Sequence, residues 1–120
     1  MAVDPTREDL QRFLDSAPEG PIVMLNLLRF VPGGAELYAR YAREAAPFLA
    51  KHGAEVVYAG DGHDALVAED GQSWDAVLLV RYPSVQAFAA MIADPGYWEV
   101  TTWRTQALAE AVLQPTSSWT

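Results

Sequence analysis

From Asp75 to Tyr82 the chain reads Asp-Ala-Val-Leu-Leu-Val-Arg-Tyr, with no polar side chain between Asp75 and Arg81. Successive side chains of a strand point to opposite faces, so a strand of this composition has neither face built for water. In a chain of 120 residues the local helices can cover one face of a small sheet, and the other then requires a cavity or a second subunit. Pro21 to Phe30 (PIVMLNLLRF) repeats the pattern, with Asn26 as the polar exception inside it.

The length fits one domain. A hydrophobic fraction of 51% against 20% charged residues is that of an ordinary globular protein. Eight Lys and Arg face sixteen Asp and Glu, a formal net charge of -8 that repels phosphate backbones and anionic lipid. The arginines are dispersed, so nucleic acid and membrane surfaces are poor partners, whereas neutral or weakly acidic small molecules fit. The chain has no cysteine, which excludes disulfides, thiolate catalysis and cysteine-based metal sites. The first residues lack the basic start and apolar core of a secretion signal, and no apolar run reaches the roughly 18 residues of a membrane helix. The expected compartment is the cytoplasm.

Asp4-Pro5 reads as a helix cap followed by a proline in the first turn, with Leu10, Phe13 and Leu14 at helical spacing. After the break at 16–20 comes the first strand. Leu37, Tyr38, Tyr41, Ala45, Phe48 and Leu49 then mark one stripe of a helix that continues through Pro47, kinked or locally unwound, and ends at Gly53 in a left-handed cap. Ala54 to Ala59 is the second strand, 65–69 a short strand or an extended loop, and Trp74 to Tyr82 the next strand. Ser84 caps a helix, Asp94-Pro95 restarts helical structure, and Ala109 to Gln114 is the last strand, ended by Pro115. This order is the α+β, ferredoxin-like βαββαβ arrangement: four antiparallel strands with helices on one face. We therefore expect an N-terminal helical extension over 1–20, a ferredoxin-like domain over 21–115 and a tail over 116–120. Exposing either face of the first strand would leave an apolar patch beyond what a monomer tolerates, so a homodimer through the open sheet face is expected.

Several residues carry a family likeness: Tyr38 and Tyr41, the helix end Lys51-His52-Gly53-Ala54, the strand and turn Val77 to Ser84 with Tyr82-Pro83-Ser84, and Asp94-Pro95-Gly96-Tyr97 followed by Arg104. From about Pro21 to about Gln114 the chain resembles the dimeric α/β-barrel superfamily, and within it the small proteins of domain of unknown function 1330. Typical members carry Phe-Pro-Ser at the strand end and Ser-Pro-Glu-Tyr further on. Here Tyr82 stands for the phenylalanine, Asp94 and Gly96 for the serine and glutamate, and Gly53-Ala54 for the usual Gly-Gly. The resemblance implies the ferredoxin-like fold and the dimer. Neighbouring families include cofactor-independent monooxygenases acting on electron-rich aromatic polyketides, muconolactone-type isomerases, haem-handling enzymes and proteins that only bind small ligands, and fold does not choose among them.

The candidate catalytic residues are Asn26, Tyr41, His63 and Arg104; the candidate substrate-binding residues are Tyr38, Trp74, Arg81, Tyr97 and Trp98. A buried Asn26 must be hydrogen-bonded, either to backbone or to a ligand carbonyl. Tyr38 and Tyr41 are either core packing with a wet tip or donors to a ligand oxygen. Arg81 and Arg104 either pair with surface acids or neutralise a carboxylate or enolate; the family motif also carries an arginine at Arg104, which favours that residue. His63 lies between Asp61 and Asp64 in a turn, as a solvated residue or a general base. Trp74, Trp98 and Trp103 suit a planar ligand or the core. Two histidines without ligand spacing and a lone Gly-Asp-Gly turn point to no metal and no phosphate site, and no motif requires a cofactor. The chain is thus expected to bind a small apolar or aromatic molecule, with oxygenation or isomerisation at an acidic carbon as the enzymatic reading. A non-catalytic binding or assembly role is the alternative.

Overall fold

The computed structural model describes residues 1–120. The two strands that are apolar on both faces take the centre of the sheet: β1 (Ile22–Phe30) and β3 (Ala76–Tyr82) pair antiparallel, with β2 (Glu55–Asp61) beside β3 and β4 (Leu108–Thr116) beside β1. Helices α2 (Gly34–Lys51), α3 (Val85–Ala93) and α4 (Pro95–Ala107) complete a ferredoxin-like α+β unit, preceded by α1 (Arg7–Asp15). No helix is long and apolar enough to cross a membrane.

Strand register sorts the side chains. Ile22, Met24, Asn26 and Leu28 sit opposite Tyr82, Val80, Leu78 and Ala76 on the face that the helices cover. Val23, Leu25 and Leu27, opposite Arg81, Leu79 and Val77, form the other face, which no element of this chain covers. The covered face holds two apolar clusters. Ile22 and Met24 pack with Ala45, Val80, Tyr82, Val85, Phe88, Met91, Tyr97 and Val100, while Leu28 packs with Ala76, Ala107 and Leu108. Asn26 falls between the two clusters along β1. Each fully buried aliphatic side chain, such as Ile22, Leu28 or Val85, contributes about 1.5–3 kcal/mol relative to exposure.

Local chemistry fixes the helix ends. Ser84 accepts the Ala87 N–H at 3.1 Å and Asp94 accepts the Gly96 N–H at 3.0 Å, so a break between two short helices is capped on its C-terminal side by Asp94 with Pro95 following. Gly53 ends α2 at φ 75°, as the left-handed cap requires. The first turn of α2 lies so close to α4 that a side chain at Gly34 would strike the Ala107 carbonyl.

Three expectations change. The first helix is capped by Thr6, whose hydroxyl and Asp9 form a reciprocal capping box, and not by Asp4, which is drawn away by Arg104. The last strand runs on through Pro115 to Thr116, because β4 is an edge strand and a missing N–H on its open side disrupts no ladder. Of the two readings of 65–69, the loop is the one observed. The third strand starts at Ala76, not Trp74, since Asp75 turns its carboxylate back to accept the Phe30 N–H at 2.9 Å.

Asp94 also accepts from Lys51 at 2.9 Å and lies 3.3 Å from His52 Nε2, joining the end of α2 to the start of α4. The side-chain hydrogen bonds from Lys51 and His52, with the Gly96 N–H, lower its carboxyl to about 2. A folded-state pKa below the unfolded value contributes stability that is present above about pH 4 and lost as pH falls toward 2. Asp94→Asn, which keeps the cap, should therefore melt a few degrees below wild type near neutral pH, and the gap should close in acid. Thermal melts from pH 7 to 2 check this; a gap that does not shrink would contradict it.

Candidate functional site

The gap in the core at Asn26 is a cavity of about 550 Å³ between the sheet and helices α2, α3 and α4, walled mainly by hydrophobic residues. The floor is Asn26, Leu78, Val80, Tyr82 and Leu113; α2 contributes Tyr38, Tyr41, Ala45 and Leu49, and α4 contributes Tyr97, Trp98, Thr101 and Arg104. Ala42, Ala46, Val56 and Trp98 line it and are exposed, so it opens to solvent on that side. A second cavity of about 500 Å³ lies under the N-terminal segment and α1, and shares Asp4, Pro5, Leu10, Phe88 and Leu113 with the first.

Helical and strand periodicity aim these groups. Tyr97, Val100, Arg104 and Ala107 form the buried stripe of α4, and Tyr38, Tyr41 and Ala45 follow at three- and four-residue steps on α2. The aromatic rings form two groups on the wall: Tyr38 to Tyr41 at 5.2 Å between centroids and Tyr41 to Tyr97 at 6.3 Å, and separately Tyr82 stacked on Phe88 at 5.1 Å. The Tyr41 and Tyr97 hydroxyls are hydrogen-bonded at 2.6 Å. Asn26 is 8% exposed and makes one side-chain hydrogen bond, from Nδ2 to the Met24 carbonyl at 3.3 Å.

Arg104 is the one cationic side chain on the wall and is 7% exposed. Its Nη1 donates to the Val3 carbonyl and to Asp4 Oδ1, both at 2.9 Å, while its Nη2 is buried without a partner. Leaving such a donor unpaired costs about 1–3 kcal/mol. Asp4 Oδ2 accepts from Thr105 Oγ1 at 2.9 Å, and the Ala2 carbonyl accepts from the Ala111 N–H at 2.8 Å. Residues 2–4 are thereby strapped across the site between α4 and β4.

Burial pushes all four cavity phenols up. Tyr97 reaches about 12, and Tyr38, Tyr41 and Tyr82 stand well above the ordinary value of a phenol. For Tyr41 the neighbouring Tyr97 adds to the rise, and for each of the four the Arg104 charge opposes it. All four are neutral hydroxyls near pH 7, able to donate hydrogen bonds but not to act as bases.

Of the nine residues singled out in the sequence, Asn26, Tyr38, Tyr41, Tyr97, Trp98 and Arg104 line this cavity; Trp98 stands at its mouth, 63% exposed. His63, Trp74 and Arg81 do not. Strand alternation turns Arg81 away from Val80 and Tyr82, toward Glu55 at 3.9 Å. Trp74 lies beneath the Arg29 guanidinium at 4.5 Å, and His63 is exposed in the connection between β2 and β3. Trp103 stacks under Arg40 at 3.8 Å, outside the cavity. Two participants were not anticipated. Tyr82 is two residues from Val80 on the covered face, a period-two signal available in the sequence; Asp4 lies 100 residues from Arg104 and gave no such signal. No three His, Asp or Glu side chains come together as a metal-binding group.

A raised phenol pKa favours the folded state below pH 10 and penalises it as pH rises through the folded value. An absorbance titration should therefore find four of the five tyrosines still protonated at about pH 11, ionising only with alkaline unfolding. Ionisation of all five near pH 10 in the folded protein would contradict it. Arg104→Ala should cost about 1–3 kcal/mol and speed hydrogen exchange at the Ala111 amide, because the strap loses its anchor. Unchanged exchange there would show that the strap is held otherwise.

The crystal structure of RPA0582, a protein of unknown function from Rhodopseudomonas palustris, is 36% identical, with a TM-score of 0.90 over 98% of this chain and 97% of that one. A candidate antibiotic biosynthesis monooxygenase from Bacteroides thetaiotaomicron has a TM-score of 0.60 at 20% identity, over 83% of this chain and 90% of that one. A dimeric protein of unknown function and ferredoxin-like fold from Bacteroides fragilis has a TM-score of 0.57 at 8% identity, over 82% and 96%. The last two likenesses establish the fold alone. No curated protein matches the sequence. The family model named domain of unknown function DUF1330 matches residues 33–114, and the chain belongs to that family.

Proposed function

We propose that this protein is a homodimer whose cavity binds a small, mostly apolar or aromatic molecule, and that the cavity supports cofactor-independent chemistry at an acidic carbon of that molecule. The observation that carries the reading is that Asn26, Tyr41 and Arg104 reach a single cavity, among hydrophobic walls that open to solvent. A mostly apolar pocket with a few convergent polar groups is the usual form of a small-molecule site.

The chemistry follows from the donors. Removing a proton next to a carbonyl leaves negative charge on oxygen, and the Arg104 charge with the Asn26 amide would stabilise it in a site of low dielectric. Tyr41 serves as a hydrogen-bond or proton donor only, since its pKa is raised, and His63 is too far outside the cavity to share the work. The one carboxylate on the wall is Asp4, which is the remaining proton acceptor. Oxygenation of an electron-rich aromatic or isomerisation through an enolate both fit this set, and the monooxygenase-like neighbour shares the fold. The second reading, a binder that turns nothing over, is favoured by the fact that Asp4 is already held by Arg104 and Thr105.

Dimerisation follows from the uncovered sheet face, where Val23, Leu25, Leu27, Val77, Leu79 and Val112 present a continuous apolar surface. A second copy stacked there would remove it from water. The dimeric state of the Bacteroides fragilis neighbour supports this. Light scattering should give twice the 13.1 kDa chain mass, and Leu25→Glu should give the monomer; a wild-type monomer would overturn the proposal. Calorimetric titration with a panel of aromatic ketones and lactones should find a binder that Ala46→Trp, a filling substitution at an exposed wall position, abolishes. Oxygen uptake and product analysis with that binder then separate the readings: turnover lost in Arg104→Ala supports the enzyme, and binding without turnover the alternative.

A further inference from the structure

The covered face of the sheet carries two cavities side by side. The first, of about 550 Å³, reaches from Val56 on β2 to Leu113 on β4 and opens past Ala42, Ala46 and Trp98. The second, of about 500 Å³, stands on Met24 of β1 and on Ala111, Leu113 and Pro115 of β4, and opens at Arg12, Ser16 and Pro115. Strands β2 and β4 are the two edges of the sheet, so the mouths lie toward opposite edges. The spaces meet at Asp4, Pro5, Leu10, Phe88 and Leu113, which line both. Asp4, Pro5 and Leu10 belong to the N-terminal segment and α1, and α1 buries none of its residues. Its aromatic contact is Phe13 against Phe88, at 5.6 Å between centroids. The boundary between the spaces is thus drawn mainly by a lightly packed segment and not by a layer of core.

The two spaces differ in what they offer a ligand. The polar side chains on the second wall are Asp4, Asp9, Arg12 and Ser16, and each is already bonded within the chain. Asp9 accepts the Thr6 N–H at 2.9 Å and pairs with Arg12, which reaches out into solvent; Ser16 Oγ donates to the Arg12 carbonyl at 2.8 Å; Asp4 serves Arg104 and Thr105. What remains there is hydrocarbon, from Val3, Leu10, Phe13, Met24 and Leu113. On the first wall Asn26 uses only its Nδ2 within the chain, which leaves its amide oxygen without a partner. We infer that the two cavities form one passage that takes a single elongated ligand, with an oxygen-bearing ring system in the first space and a hydrocarbon chain in the second. This rests on the reading of the first cavity as a small-molecule site. A chain without polar groups needs no partner in the second space, and each methylene moved there from water adds to affinity.

The test is a series of straight-chain 2-acylnaphthalenes, from acetyl to octanoyl, titrated calorimetrically into wild type and Ala111→Phe. Ala111 lines the second cavity and not the first, so the substitution fills the space for the chain alone. In wild type the affinity should rise by up to about fourfold per added methylene. In the variant that gain should disappear, while 2-acetylnaphthalene binds as it does to wild type. A gain that persists in the variant, or no gain in wild type, overturns the inference and leaves the reading of the first cavity in place. Failure of every member of the series to bind wild type overturns both. Where Ala111→Phe does not fold, wild type decides: in a crystal of its complex with the ω-bromooctanoyl compound, the anomalous signal of bromine locates the end of the chain. Bromine beside Phe13, Met24 and Ala111 supports the inference; bromine at the mouth by Ala46 and Trp98 overturns it.

Discussion

Everything in this molecule is arranged around β1, a central strand with apolar side chains on both faces and one amide among them. Its paired neighbours and the helices above bury Ile22, Met24 and Leu28 on one side. Where Asn26 interrupts that row the core divides into two clusters and a cavity opens between them. On the other side Val23, Leu25 and Leu27 are covered by nothing in this chain. One strand thus poses both questions that function has to answer: what fills the gap at Asn26, and what covers the open face.

The cavity is polarised by a few groups held under tension between burial and pairing. Arg104 is carried below the surface by the helical stripe of α4, and its charge is met by an acid from the opposite end of the chain. Around it, burial keeps the phenols of Tyr38, Tyr41, Tyr82 and Tyr97 protonated. The result is a wall rich in donors and poor in bases. On the proposed reading, such a wall would stabilise an oxygen that gains negative charge and leave proton abstraction to Asp4.

Much of the fold was legible in the sequence because its signals are local. The two apolar strands, the Ser84 and Asp94 caps, the Gly53 stop and the buried stripe of α4 each depend on residues within a turn or two of one another. The same periodicities bring Tyr38, Tyr41, Tyr97 and Arg104 to one cavity. Arg81 lies outside that cavity because a strand residue next to a cavity residue faces the other way, and Trp74 and His63 because loops carry no periodicity to aim them. Asp4 was hidden for a different reason. Its sequence context, an acid before proline, is that of a helix cap, and only the tertiary fold brings Arg104 close enough to claim it while Thr6 and Asp9 cap the helix instead. Pairings across 100 residues leave no trace in spacing or composition.

The most direct test is a crystal structure grown with a panel of aromatic and lactone compounds and read for density in the space bounded by Asn26, Tyr41 and Arg104. The account predicts a ligand there, with an acceptor oxygen toward Asn26 and Arg104 and the aromatic body against the tyrosines. A sealed interior from which every compound is absent, with those three side chains turned apart, would contradict it and leave a structural or assembly role.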